Sequence, residues 1–291
     1  MAEEKTPQER IVEDTPRMGL DDTFTFRCGK DLPCFTECCK DVSIILTPYD
    51  VLRLRRGLQM SSGDFLKQYT LSTVSRERKI PVILLKMDPD TKRCLLVTDD
   101  GCSVYENRPW ACRMYPLGSA QPENPNPDNR SFYFLLKEDL CKGHGEGREF
   151  RVLEWLQDQG IEHYEMMAES FKNLMLHPFW SSGKELTRDQ LDMFYMGCYD
   201  LDRFRRFVFE SRFLDCFEVD EMRADVMKKS DEDLLDFAMQ WLAFSLFKEK
   251  TMKIRPEVMA ERQKAMEKTE SGSVNPRRDA DPTDHDAGGD P

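Results

Sequence analysis

Four cysteines fall within twelve positions, Cys28-Gly-Lys-Asp-Leu-Pro-Cys34-Phe-Thr-Glu-Cys38-Cys39, and no other feature restricts the folding of this chain as tightly. Thiolates are soft ligands suited to tetrahedral zinc or to the irons of an iron–sulfur cluster, and the intervening Gly and Pro let a short backbone turn around an ion. The vicinal pair adds a constraint, because neighbouring side chains in extended backbone point to opposite faces. Two arrangements satisfy it: two adjacent centres drawing on opposite sides of the pair, or one centre with one member of the pair packed as a small hydrophobe.

Cys94, Cys102, Cys112 and Cys141 make a second, looser set, so eight of the ten cysteines lie between Cys28 and Cys141. Eight thiols divide evenly into two tetrahedral sets, and a four-thiolate site carries a charge of about −2 that nearby cations should offset. Arg27, Lys30, Lys40, Arg93, Arg113 and Lys142 all flank cysteines. Cys198 and Cys216 sit in an apolar helical pattern and read as small hydrophobes. His144 follows Cys141 closely and could replace a thiol, but reads as a surface loop residue. His163 and His177 belong to helices and His285 to the tail. No Ser/His/Asp or Cys/His nucleophile arrangement stands out.

Compartment decides how these cysteines are read. Met1-Ala2-Glu3-Glu4-Lys5 is polar and acidic, which matches neither a signal peptide nor a transit peptide. A reducing cytoplasm is therefore expected, where clustered cysteines hold metal or do redox chemistry rather than form a disulfide framework. The net charge of −12 argues against holding nucleic acid by bulk charge. Mean hydropathy is −0.63, and no stretch approaches the roughly 20 apolar residues of a membrane span. A hydrophobic fraction of 40% over 291 residues still supports a core.

Local patterns divide the chain. Residues 1–22 are polar and expected to be disordered. Thr47 can cap a helix over 47–57 that has Pro48 at its first position and Gly57 as its stop, and a second helix is expected over 61–69. Ile80–Lys86 and Arg93–Thr98 read as strands of a hairpin turned by Asp88-Pro89-Asp90, and Ser131–Lys137 as a third strand. The Pro- and Asn-rich stretch 120–130 reads as loop. From Arg148 the period becomes helical, with Ile161, Tyr164, Ala168, Phe171 and Met175 on one face. Thr187 and Gln190 form a capping box for a segment running to about Phe217. Further helices are expected over 220–228 and 230–247, and an exposed one to about 268. The tail 269–291 is too poor in apolar residues to fold.

These readings predict an α+β protein: a disordered N-terminus (1–22), an irregular cysteine-rich metal-binding domain with a small antiparallel sheet (23–147), a mainly α-helical domain (148–268) and a disordered tail (269–291).

Phe26-Arg27-Cys28, Cys34, Cys38-Cys39 and Cys94, followed by Cys102-Ser103-Val104-Tyr105-Glu106-Asn107-Arg108-Pro109, Cys112-Arg113 and Tyr115-Pro116, resemble the YkgJ-type cysteine cluster family, a zinc- or iron-chelating CxxCxxCC domain. The resemblance covers about Phe24 to Cys141. It implies that Cys28, Cys34, Cys38, Cys39, Cys94, Cys102, Cys112 and Cys141 form a metal site with zinc or an iron–sulfur cluster as cofactor. The first gaps here are five and three residues, against two and two in the family's name. Some proteins with this domain are described as flagellin lysine N-methylases, so the resemblance also implies methyl transfer to protein lysine as a second function. The chain itself has no Gly-rich dinucleotide-type loop after a strand and no Cys-x-x-x-Cys-x-x-Cys. A third function is an adaptor whose helical half binds an unknown protein partner, with metal serving only as a staple.

Two arginine groups have two readings each. Arg108 and Arg113 could offset thiolate charge or hold an anion beside the metal, or could pair with Asp99, Asp100 or Glu106 to fix a loop. The run Asp202-Arg203-Phe204-Arg205-Arg206-Phe207 could contact RNA, but at helical spacing Phe204 and Phe207 are expected in the core with the arginines in water.

Overall fold

The computed structural model describes residues 15–75, 78–120, 131–261 and 263. The disorder expected of 1–14 and of the tail 269–291, and most of the 120–130 loop, lie outside the described residues. Within the N-terminal stretch that is described, Met18 bridges to Tyr133, its amide 2.7 Å from the Tyr133 carbonyl.

The protein is α+β, with helices and small antiparallel sheets. β1 (Thr23–Phe26) pairs with β9 (Arg148–Arg151), bringing the two ends of the cysteine-rich segment together. β2 (Ile45–Leu46) leads into α1 (Pro48–Gly57), whose capping box of Thr47 and Asp50 is present as the sequence dictates. α2 (Ser62–Tyr69), capped by Ser61, runs into β3 (Thr70–Val74). β4 (Pro81–Leu85) lies between β2 and β3. Its alternation buries Ile83 and Leu85, and Pro81 takes the first position, where a missing N–H costs no interior ladder bond.

The hairpin expected over 80–98 does not form as a ladder. Asp88 does turn the chain, since its amide meets the Arg93 carbonyl at 2.7 Å, but the returning strand keeps only a Met87–Cys94 bridge. β4 has both edges occupied by β2 and β3, so 93–98 has no edge to join. It pairs elsewhere, through an Arg93–Lys40 bridge and through β5 (Val97–Thr98) with β6 (Gly101–Cys102). After α3 (Trp110–Met114) come β7 (Leu117–Ala120) and β8 (Phe132–Leu135), which pair with each other, so the expected third strand exists in a separate sheet.

The second half opens with α4 (Val152–Asp158) and α5 (Ile161–Met175). The segment expected to run from Thr187 to Phe217 divides into α6 (Arg188–Cys198), α7 (Leu201–Phe209) and α8 (Phe213–Cys216). Asp200 causes the first break, its side chain accepting the Arg203 amide as an N-cap. α9 (Glu221–Lys229) and α10 (Asp231–Phe247) follow, capped by Asp220 and Ser230, and a helical turn covers 256–261.

α10 is the core helix, with Leu234, Leu235, Phe237, Ala238, Trp241, Leu242 and Leu246 all buried. α6 approaches it so closely that a Cβ at Gly197 would stand 2.9 Å from Leu242. Phe204 is buried against Phe237 and Trp241, as the helical spacing predicts, but Arg203 and Arg205 are not left in water: they bind Asp192 and Asp231, and Arg205 is half-buried. Cys198 is buried and Cys216 half-buried.

This core continues into the first half through Leu46, Leu52, Phe65, Ile83, Leu96 and Val104, so no break in packing falls at 147/148. A second cluster gathers Phe24, Phe26, Met114, Leu117, Val152, Trp155, Leu156 and Ile161. Trp110 packs against both clusters, which places α3 and its Cys112 between them. No helix among the described residues is long and apolar enough to cross a membrane.

Candidate metal centre

The two clusters hold the cysteines from opposite sides. β1 ends at Phe26 and delivers Arg27 and Cys28 beside the loop that carries Cys141: the Arg27 amide donates to the Gly143 carbonyl at 3.0 Å, and Phe26 bridges to His144. The Lys142 amide donates to the Cys34 sulfur at 3.2 Å. Thr36, in left-handed conformation (φ 66), turns the chain into a 3-10 turn over Glu37–Cys39. The Cys28 thiol is pushed up by partial loss of solvent at the sulfur, and then by its neighbours Cys38, Cys141 and Cys34. Those four form an outer group.

Of the other four, Cys94 and Cys102 pack against the main core. The Cys94 amide donates to the Cys39 carbonyl at 2.8 Å, and the Asp41 amide to the Lys92 carbonyl at 2.8 Å, which lays the vicinal pair along the Cys94 segment. Cys102 comes from β6 and Cys112 from α3. Burial pushes the Cys112 thiol up to about 12, and Cys94 and Cys102 add to the shift as neighbours. Cys39 in turn has Cys112 and Cys94 beside it. Backbone amides face two of these sulfurs, Leu96 onto Cys94 and Val104 onto Cys102. An N–H donor favours a thiolate over a thiol, so these turns suit sulfur in its ligating form.

The vicinal pair belongs to both groups. Its backbone is a 3-10 turn, not the extended chain the sequence argument assumed, so the two side chains diverge by about 120° instead of opposing each other. The sulfurs remain close enough to share a proton: a hydrogen bond from Cys39 brings Cys38 down to about 7, and the same bond with burial pushes Cys39 up. Cys38 neighbours Cys28 and also Cys112, and Cys39 neighbours Cys94 and Cys112.

All ten cysteines are free thiols. Among the described residues no group of three or more His, Cys, Asp or Glu is already gathered tightly enough to hold an ion, so the eight sulfurs do not form finished cages. The donor chemistry fits zinc or iron, since each group offers four soft sulfurs. A second fit comes from Tyr115, whose buried hydroxyl lies beside the Cys141 thiol. A hydroxyl there supplies a donor that a ligating thiolate can use and a neutral thiol needs less.

The flanking cations are mostly engaged elsewhere. Arg27 pairs with Asp31, Lys30 with Asp100 at 2.6 Å, and Arg93 with Thr36 at 2.9 Å. Arg108 and Arg113 follow neither expected pairing with Asp99, Asp100 or the Glu106 side chain. Arg113 donates to the carbonyls of Glu106 (2.5 Å), Arg108 (3.2 Å) and Gln159 (2.7 Å), and its guanidinium lies over Tyr164. Arg108 binds the Tyr105 carbonyl and Gln159, and it is the charged neighbour of Cys112 and Cys102. His144 is half-buried against Phe26, not a free surface residue.

Two residues that sequence reasoning passed over shape the site. Asp50, 1% exposed, accepts the amides of Trp110 and Thr47, both at 2.8 Å, and so fixes the start of α3. Its capping-box oxygen was legible from Thr47-x-x-Asp50; the reach to Trp110 was not. Tyr115 stands in the Cys112-Arg113-Met114-Tyr115 run, but only the fold sets it against Cys141.

Residues 27–142 match the model of the CxxCxxCC family, described as "Putative zinc- or iron-chelating domain", and the match encloses all eight cysteines of the two groups. The likeness read from the residues is thus borne out over that segment. No curated protein and no solved structure matches the chain.

Proposed function

We infer, from the match of residues 27–142 to the CxxCxxCC model, that the protein binds zinc or iron at two four-thiolate sites: Cys28, Cys34, Cys38 and Cys141 in one, and Cys39, Cys94, Cys102 and Cys112 in the other. The observation that supports this is the crowding around the vicinal pair: Cys38 neighbours Cys28, Cys39 neighbours Cys94 and Cys112, and Cys38 also stands near Cys112. Metal bound there cross-links β1, the 28–41 loop, the 93–102 segment, α3 and the Cys141 loop. These are turn-rich pieces with short strands, so the metal contributes folding energy directly. The role is structural or redox, according to whether zinc or an iron–sulfur cluster is bound.

Elemental analysis of anaerobically purified full-length protein, with titration of accessible thiols, tests the assignment. Two zinc ions per chain with eight protected thiols, or iron and sulfide in comparable amounts, is the expected result. A metal-free chain that folds with all thiols reactive overturns it. Calorimetry with S-adenosylmethionine distinguishes a lysine methylase from a purely structural or redox protein carrying the same metal, and a stoichiometric copurifying protein identifies an adaptor.

A further inference from the structure

We propose that the helical half sets the position of Cys112: the segment from Tyr105 to Arg113 is tethered to α1, α4 and α5, so a change at the α4–α5 junction is felt at that thiol. The proposal goes beyond the metal-binding reading and does not depend on it, because no donor or acceptor in the tether is a cysteine.

Two carbonyls carry the tether. A carbonyl oxygen has two lone pairs, and at each of these two a pair of side-chain donors is present. The Glu106 carbonyl accepts from Arg113 at 2.5 Å and from Arg53 of α1 at 3.1 Å. The Arg108 carbonyl accepts from Arg113 at 3.2 Å and from the Tyr164 hydroxyl of α5 at 3.0 Å. Arg53 also donates to the Asn107 side chain at 3.0 Å, and Arg108 to the side chain of Gln159.

Arg113 joins the pieces. It is 8% exposed, and each nitrogen of its guanidinium meets a backbone carbonyl, the third being that of Gln159 at 2.7 Å. Gln159 is the C-cap of α4, where carbonyls lack intrahelical partners and a cation is favoured. Gly160, in the left-handed region (φ 63), turns the chain into α5 next to that carbonyl. The guanidinium also lies over the Tyr164 ring, 4.8 Å from its centre. Cys112 precedes Arg113 on α3, which is only five residues long, so the anchors of Arg113 on α4 and α5 fix the helix that presents the thiol. An ammonium lacks the planar fork that reaches three carbonyls at once.

The experiment maps alkylation by mass spectrometry in full-length protein stripped of metal by chelation. Cys198, buried in the helical core, gauges global opening. Tyr164→Phe keeps the ring and removes one hydrogen bond, and it should speed alkylation of Cys112 about fivefold while Cys198 is unchanged. Arg113→Lys should speed it further. Hydrogen exchange at the amides of 105–113 should rise in step, with protection over α10 retained. No acceleration at Cys112 in Tyr164→Phe overturns the proposal, and so does equal acceleration at Cys112 and Cys198, which would make Tyr164 a general support of the core. Simultaneous labelling of Cys112 and Cys198 in the chelated, unmutated chain overturns it as well. Failure of the metal reading is separate, because a chain that never takes up zinc or iron gives the same labelling pattern.

Discussion

The Asp50 carboxylate and the Trp110 amide meet at 2.8 Å, sixty positions apart in sequence, and this contact anchors the helix that carries Cys112. Asp50 is buried, and its other oxygen holds the Thr47 amide and hydroxyl, both at 2.8 Å. One carboxylate thus caps α1 and fixes the first turn of α3.

Asp50→Ala strands the Trp110 and Thr47 amides in a buried setting, and each unsatisfied donor is costly. The expected loss is ~2–4 kcal/mol, read as a lower urea midpoint of the zinc-loaded protein. Retention of the ion at Cys39, Cys94, Cys102 and Cys112 should fall with it, because Cys112 is no longer held in register. An unchanged midpoint would remove Asp50 from the support of the site.

Gly143 is required by close approach. A Cβ there would stand 2.0 Å from the Arg27 carbonyl, across the backbone pairing that brings Cys141 to Cys28. Gly143→Ala should cost ~1–3 kcal/mol as the two segments part. Zinc stoichiometry should drop from two ions to one.

Metal removal should loosen the protein selectively. Chelation of the loaded protein is expected to abolish hydrogen-exchange protection at amides over 28–41 and 93–102, while α10, whose side chains are buried by helix packing alone, keeps its protection. Equal loss throughout, or none, would deny the metal its structural role.

Loading should depend steeply on pH. The thiols of Cys28, Cys94, Cys102 and Cys112 are all raised, chiefly by burial, so they hold protons at neutral pH that a metal must displace. Apparent affinity therefore rises with pH throughout the range below these raised values and weakens as pH falls, by about tenfold per pH unit for each proton released. Calorimetry of zinc binding in two buffers of different ionisation enthalpy counts those protons. A count near zero would mean that the thiols are not the ligands.

Several parts of the fold could be read residue by residue. Thr47, Ser61, Thr187, Asp220 and Ser230 announced their helices because a cap is a local hydrogen bond between residues two or three apart. Phe204 and Cys198 were placed in the core by helical period alone. Strand pairing was another matter. Ile80–Lys86 and Arg93–Thr98 have the spelling of a hairpin, yet β4 took β2 and β3 as partners, which leaves it no edge for 93–98.

The sequence by itself determined that eight thiols are available for soft metal, that they fall in the first half of the chain, and that Cys38 and Cys39 would have to be shared or divided. Only the tertiary structure decided which of them become neighbours. That depends on contacts between segments tens of residues apart, such as Arg27 with Gly143, Cys39 with Cys94 and Asp50 with Trp110. Those are long-range packing outcomes, and spacing along the chain carries no term for them.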